Sequence, residues 1–310
     1  MDLGLIARDG VFSTADATAV GLDRNALSRL VRDGLCVRLA TGWYAIAGPE
    51  PPDREELHRL CSLAMGRALR DRAALSHHSS LVARGLPTFG ADFGTVHLTS
   101  LVPARGGVSV VRSGVAVHRR VGRLRVPDPD DVPEHLPRHV PTAWAAVQAG
   151  LLAGPEAFLV PADAALRAGS TTVGALQRAV QMFSGHTGVG PVRMAAHLLD
   201  ARHESPGESR TAFVVSALGY RLEPQVEILA DGRLFRADFR IAGTRVLVEF
   251  DGAVKYADRM ALFEEKQRED ALRRAGWVVA RLVWADLDRP GLVARRIEAA
   301  VALVRPARRA

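Results

Sequence analysis

The sequence predicts a multidomain α/β protein, with a winged helix-turn-helix at the N-terminus, an α+β middle region and an α/β core at the C-terminus. Three observations carry this. Residues 1–48 hold capped helical segments followed by a glycine-turned hairpin. The stretch GPEPPD at 48–53 reads as a linker. From residue 204 onward the order is helix, three strands, helix, strand, helix. The domains expected are therefore 1–48, 54–200 and 204–304.

Composition supports folded domains. The 310 residues are 48% hydrophobic and 24% charged, and the mean hydropathy is +0.04. No apolar run approaches the roughly 20 residues of a membrane helix. The start, MDLGLIARDG, lacks the basic flank and apolar stretch of a secretory signal. Cys36 and Cys61 are the only cysteines, which excludes a disulfide framework and a four-thiolate zinc site. A cytoplasmic protein is expected, with no membrane partner. A net charge of +7 favours a polyanion, here duplex DNA. Nearly all of that charge is arginine, since Lys255 and Lys266 are the only lysines.

In the head, a first helix is expected over 3–8. Ser13 caps a second, with Asp16 completing a capping box. Asp23 caps a third, Arg24–Arg32, which Gly34 ends. Its apolar residues Ala26, Leu27, Leu30 and Val31 face one way. Asn25, Ser28, Arg29 and Arg32, spaced i, i+3, i+4 and i+7, face the other. Segments 36–40 and 43–47 alternate about Thr41-Gly42 as a wing. This order suits a recognition helix in the major groove, its Asn25, Ser28, Arg29 and Arg32 turned to DNA. A solvated face in a protein-interaction module is the alternative, because residues 1–50 carry six acids against five arginines.

The middle region reads as helices at 55–69 and 75–84, strands at 95–99, 108–112 and 115–120, then helices at 143–152, 156–168, 173–183 and 191–200. His77 and His78 are adjacent on a helix and point about 100° apart, so they do not readily share a metal. Structural or capping roles are expected for them. Arg112, Arg119, Arg120, Arg123 and Arg125 form a basic stretch that suits either a phosphate backbone or a solvated hairpin.

The tail carries acids at the ends of apolar strands, where an unpaired carboxylate is costly. Asp238 closes one strand. Val246-Leu247-Val248 opens into Glu249-Phe250-Asp251-Gly252 eleven residues later. Val246–Val248 and 278–282 are expected to be neighbouring central strands. Two converging carboxylates and a backbone carbonyl make an oxygen site suited to Mg²⁺ or Mn²⁺, which can activate water against a phosphodiester.

That pattern resembles the PD-(D/E)XK nuclease superfamily, with its restriction-endonuclease-like α/β core. More closely, ADFRI…VLVEFDG…KY…KQREDALRRAGWVVARL resembles the very-short-patch-repair-type endonuclease relatives, over about 204–304. The resemblance implies Asp238 and Glu249 as metal carboxylates, the Phe250 carbonyl as a third ligand and Glu208 as a further acid beside the ion. It departs at Asp251, which stands where the superfamily's strand lysine belongs. Asp251 then becomes an additional ligand, and Lys255 or Lys266 supplies the cation. Over the whole chain, the winged head, SHHSS, DAALRAG and ESPGES…EFDG…KY resemble the AbiEi-family, type IV antitoxin-like proteins. These are implied to be DNA-binding repressors that counter a nucleotidyltransferase toxin. Two functions are thus expected in competition: a Mg²⁺-dependent endonuclease in defence or repair, and a non-enzymatic repressor or antitoxin with an inactive nuclease fold.

Overall fold

The computed structural model describes residues 3–102, 110–112, 114–121, 136–252 and 259–304. It is a mixed α/β protein with three small sheets. Contacts divide it into two compact units, Met1–Pro161 with Thr171–Arg193, and Ala162–Ser170 with Met194–Ala310. The boundary expected at 48–53 falls inside the first unit.

The head departs from expectation at its start. Residues 3–8 form only a 3-10 turn, Leu3–Leu5, before strand β1 (Val11–Ser13). The cause is local: Asp9 and Gly10 both take positive φ, 52° and 81°, which no right-handed helix admits. Thereafter the caps act as the sequence implies. The Asp16 amide donates to Ser13 Oγ at 3.1 Å at the start of α1 (Thr14–Ala19). The Ala26 amide donates to Asp23 Oδ1 at 2.7 Å at the start of α2 (Arg24–Arg32). Strands β2 (Cys36–Ala40) and β3 (Trp43–Ile46) form the wing, and β3 pairs with β1 on its other side. Phe12, Ala17, Leu27 and Cys36 make the inner core. Val11 and Ala45 instead pack on Leu60, Leu63 and Ala64 of α3 (Arg54–Ala68). Arg67 of α3 donates to the Arg8 and Val11 carbonyls at 2.8 and 3.1 Å and pairs with Asp9 at 2.7 Å. The helix after the linker is therefore a second layer of the head.

The remainder of this unit carries β4 (Ala73–Leu75), α4 (His77–Ala83), β5 (Val96–Ser100), β6 (Val110–Arg112) and β7 (Val115–His118), in sheet order β4-β5-β7-β6. The helix expected at 75–84 starts two residues late, because Leu75 is held in the sheet opposite Leu98. Helices α5 (Thr142–Ala153), α6 (Pro155–Arg167), α7 (Val173–Met182) and α8 (Val189–Ala195) follow. The helix expected at 191–200 gives way to a 3-10 turn, Ala196–Leu198. Arg119 and Arg120 of the basic stretch are exposed, while Arg123 and Arg125 lie outside the described residues.

In the second unit the sheet runs β11-β10-β9-β8, built from β8 (Leu222–Ala230), β9 (Arg233–Ile241), β10 (Val246–Asp251) and β11 (Val278–Val283). β10 and β11 are parallel, with Val246 opposite Val278. They are neighbours, as expected, but β11 is an edge strand. One face packs on α9 (Pro206–Ala217) and α12 (Pro290–Val304) through Val215, Phe239, Val248, Leu282 and Ile297. The other packs Leu247 on Leu272 of α10 (Arg259–Arg274).

The ESPGES segment is explained by the start of α9. The Glu208 amide donates to Ser205 Oγ at 3.1 Å, and the Glu208 carboxylate accepts from the amide of Glu204, the residue before the cap, at 3.0 Å. Pro206 occupies the first turn, where no amide is missed. Gly207 lies under the Phe250 ring, and a Cβ there would fall 1.9 Å from Cε1. Phe250 is in turn held edge-on to Trp284 at 4.9 Å. Gly207→Ala should therefore destabilise the protein by about 1–3 kcal/mol in urea unfolding. Gly190→Ala, with open space around its added methyl, should be neutral or stabilising by up to ~1 kcal/mol. Equal midpoints for the two variants would show that the Phe250 contact does not constrain α9.

Candidate functional site

Two surfaces collect the residues singled out by sequence. On the head, Asn25, Ser28, Arg29 and Arg32 are all exposed along one face of α2, while Leu27 behind them is buried. Among the described residues no ion pair engages Arg29 or Arg32, unlike Arg59 and Arg67, which are paired with Glu56 and Asp9. Ser28 differs from expectation: its hydroxyl donates back to the Arg24 carbonyl at 2.9 Å, leaving only its acceptor side outward. Arg38, on the wing strand β2, is also exposed.

The second surface is a cavity of about 510 Å³ in the second unit, lined by Asp238, Glu249, Asp251 and the arginines Arg236, Arg268 and Arg281. β9 presents Asp238 and β10 presents Glu249, so the two carboxylates do reach one space. Asp238 Oδ2 accepts the Phe250 amide at 2.8 Å, which ties the two strand ends together. Burial pushes Asp238 up to about 6; the Phe250 amide opposes this, the Glu208 and Glu249 charges add to it, and Arg268 opposes it. Glu249 is buried and meets the Arg268 guanidinium on both oxygens, with Nη1 donating to Oε2 at 3.2 Å and Nη2 to Oε1. Arg281, directly opposite on β11, approaches Glu249 Oε2 at 3.8 Å and pairs with Glu265 of α10.

Mg²⁺ or Mn²⁺ can be tested against this donor set. A divalent ion of this kind takes several oxygens at about 2.1 Å. Both Glu249 oxygens already face a guanidinium. Among the described residues these acids form no trio of ligand atoms within 4.8 Å of one another. As arranged, the residues do not fit the ion, which would first have to displace Arg268. Glu208 serves the α9 cap and accepts from Gln225 Nε2 at 2.9 Å. Lys266 is exposed and does not line the cavity, so the cations expected from lysine are arginines instead. Lys255 lies outside the described residues.

The head is similar to AbiEi antitoxin transcriptional regulators. The family model of that description matches residues 5–47, which are the 3-10 turn, β1, α1, α2 and the wing. No curated protein matches the chain. The crystal structure of the RV2827C protein from Mycobacterium tuberculosis is similar at 21% identity and a TM-score of 0.34, covering 65% of this chain and 75% of that one. At that score the likeness carries no argument about fold or function. No described helix is long and apolar enough to cross a membrane.

Four residues lining the acidic cavity escaped the sequence reading, Arg236, Glu265, Arg268 and Arg281, as did Gln225 on β8. Glu265 and Arg268 stand three residues apart on α10, a visible helical pair, but nothing local shows that both turn toward β10. Gln225 sits on β8 between Pro224 and Val226, which pair with Phe239 and Ala237, so it lies opposite Asp238. Its Oε1 is buried without a hydrogen-bond partner.

The raised Asp238 has a pH consequence. A carboxyl whose folded pKa lies above its unfolded value disfavours the folded state as pH rises from about 4 to about 6, and no further above that. Asp238→Asn keeps an oxygen for the Phe250 amide and removes the charge. Relative to wild type it should gain stability across that window, reaching about 1–2 kcal/mol at pH 7 once solvent screening is discounted. Urea unfolding of both proteins at pH 4, 5, 6 and 7 checks this; a difference that does not vary with pH would refute it.

Proposed function

We propose that the protein is a DNA-binding transcriptional regulator of the antitoxin kind, which reads duplex DNA with α2 and steadies itself on the backbone with its wing. The observation that supports this most is the exposed, unpaired arginine face of α2, on the segment that matches the antitoxin regulator family. Arg29 and Arg32 are free to take phosphates or guanine edges, and Asn25 suits an adenine. The winged fold supplies a helix narrow enough for the major groove. The partner such a regulator implies is a toxin, by sequence resemblance a nucleotidyltransferase. On this reading the second unit keeps a nuclease-like arrangement of strands with its acids neutralised by Arg268.

The test is binding of the full chain to a labelled duplex from the DNA upstream of its own coding region, measured by fluorescence anisotropy at several salt concentrations. Arg29→Ala/Arg32→Ala should weaken binding by roughly tenfold or more. It should also reduce the slope of log affinity against log salt by about 2, as two phosphate contacts are lost. Unchanged affinity and slope would remove α2 from the interface.

Metal-dependent cleavage at Asp238 and Glu249 is the second reading. The observation in its favour is the buried, unpartnered Oε1 of Gln225, a residue that stands opposite Asp238 in the strand register. A nuclease predicts that supercoiled plasmid is nicked in Mg²⁺ or Mn²⁺ and that Asp238→Asn abolishes nicking while leaving DNA affinity intact. A regulator predicts an intact plasmid with both metals.

A further inference from the structure

Histidines from four elements of the first unit converge at one place. His58 comes from α3, His77 and His78 from the start of α4, His97 from β5 and His118 from β7. β5 and β7 are parallel neighbours, with His97 opposite Ala116 and Thr99 opposite His118. The strand alternation therefore puts His97 and His118 on the same face of the sheet. The His77 ring lies against them at a tilt, 4.0 Å from His118 and 5.1 Å from His97, centroid to centroid.

The five imidazoles divide into two groups by their hydrogen bonds. His58 Nδ1 lies 3.1 Å from the Phe93 carbonyl and His78 Nε2 lies 3.0 Å from the Asp92 carbonyl. Both nitrogens must donate, since a carbonyl only accepts. These two tether the 92–93 segment, which is the structural role expected of His78. The other three behave differently. One nitrogen each of His77, His97 and His118 lies within 4.8 Å of the other two. His97 Nδ1 and His118 Nε2 face each other at 2.7 Å. Only one of that pair can carry the proton between them, so both ring lone-pair directions point at a single spot. His77 Nδ1 is engaged by Ser76 Oγ at 2.9 Å, which leaves Nε2 as its ligand atom. Ligating histidines are oriented by an acceptor on the far ring N–H, and the Ser76 hydroxyl oxygen can fill that place.

The setting is built for these rings. His77 adopts a positive φ of 52°, an unfavourable conformation for a side chain of this size. Its amide faces Gln148 Oε1 at 3.5 Å, and Gln148 Nε2 donates to Thr99 Oγ1 at 3.1 Å. His77 and His97 are buried. Burial, together with the neighbouring imidazoles, lowers both well below the usual histidine range, so the rings are neutral and offer lone pairs. His77 and His118 also line a cavity of about 410 Å³, shared with Gln148, Phe183 and His186.

We propose that His77, His97 and His118 form a three-histidine site for a borderline divalent transition metal, Zn²⁺ in the first instance, with a fourth position open to this cavity and filled by water. Imidazole is the donor such ions take readily, and three histidines with one open position is a known zinc arrangement. With Zn–N bonds of about 2.0–2.1 Å, tetrahedral ligand nitrogens stand about 3.3 Å apart. The His97–His118 pair has only to separate by about 0.6 Å to admit the ion. The proton between them moves to the far nitrogen of its own ring as the metal takes its place. This site stands apart from the acidic cavity and does not depend on the DNA-binding reading.

The test uses the untagged full chain, stripped with a chelator and dialysed. Zn²⁺ titration by calorimetry should show one site per chain, and the melting temperature should rise with added Zn²⁺. Co²⁺ should give the intense visible bands of a tetrahedral ion. His118→Gln, at the half-buried edge of the cluster, should weaken Zn²⁺ binding by roughly 100-fold or more, whereas His139→Gln should leave it unchanged. His77→Gln gives the same reading where His118→Gln does not fold, as judged by circular dichroism. The proposal is overturned if stoichiometric binding is absent, if Co²⁺ shows only the weak bands of an octahedral ion, or if a folded His118→Gln or His77→Gln variant keeps wild-type affinity.

Discussion

A buried carboxylate needs a compensating charge, and in the second unit Glu249 finds it in Arg268. The consequences spread through the whole sheet. Arg268 reaches Glu249 only because α10 lies across the face of β9 and β10, where Arg268 Nη2 also donates to the Arg236 carbonyl at 3.1 Å. Arg281 is in register with Glu249 because β11 runs parallel to β10, and it draws Glu265 of α10 onto the strand edge. One ion-pair network thus links strand order, helix placement and the electrostatics of the cavity. Removing one member of such a buried pair leaves an uncompensated charge, which is why ion pairs of this kind are costly to break even where they add little net stability.

The same network sets the chemical character of the cavity. Asp238 and Glu249 approach one space, as active-site acids do, yet one is engaged by a backbone amide and the other by a guanidinium. The raised pKa of Asp238 comes first from burial and not from a shared ion. An arginine at this position substitutes for the charge of a metal without its Lewis acidity, and a guanidinium cannot supply a bound hydroxide. This is the physical ground for proposing a regulator in preference to a metal-dependent nuclease.

In the first unit the compensation is of another kind. Burial holds the His77, His97 and His118 rings neutral, and their ring nitrogens meet within 4.8 Å of one another. A set of that kind is suited to a borderline ion, whereas the acids of the tail are already engaged by an amide and a guanidinium. The two clusters sit in separate compact units, so the chain holds two chemically distinct candidate sites.

What the sequence determined by itself is local. Ser13, Asp16 and Asp23 set the helix starts of the head because capping acts over three residues. The period of α2 placed Asn25, Arg29 and Arg32 outward because burial follows a 3.6-residue repeat. Val246–Val248 announced a buried strand because an unbroken apolar run is covered on both faces. The Asp9-Gly10 pair, which ends the first helical turn early, is equally local. Tertiary structure decided everything that depends on register and on packing between elements. Adjacency in the chain separates His77 and His78, while parallel pairing of β5 with β7 brings His97 and His118 to His77 from 20 and 41 residues away. Arg268, nineteen residues beyond Glu249, displaced the expected lysines because the helix crossing, and not the spacing, chooses which side chain faces a strand. For Gly207, only the approach of Phe250 from another element shows why no side chain fits there.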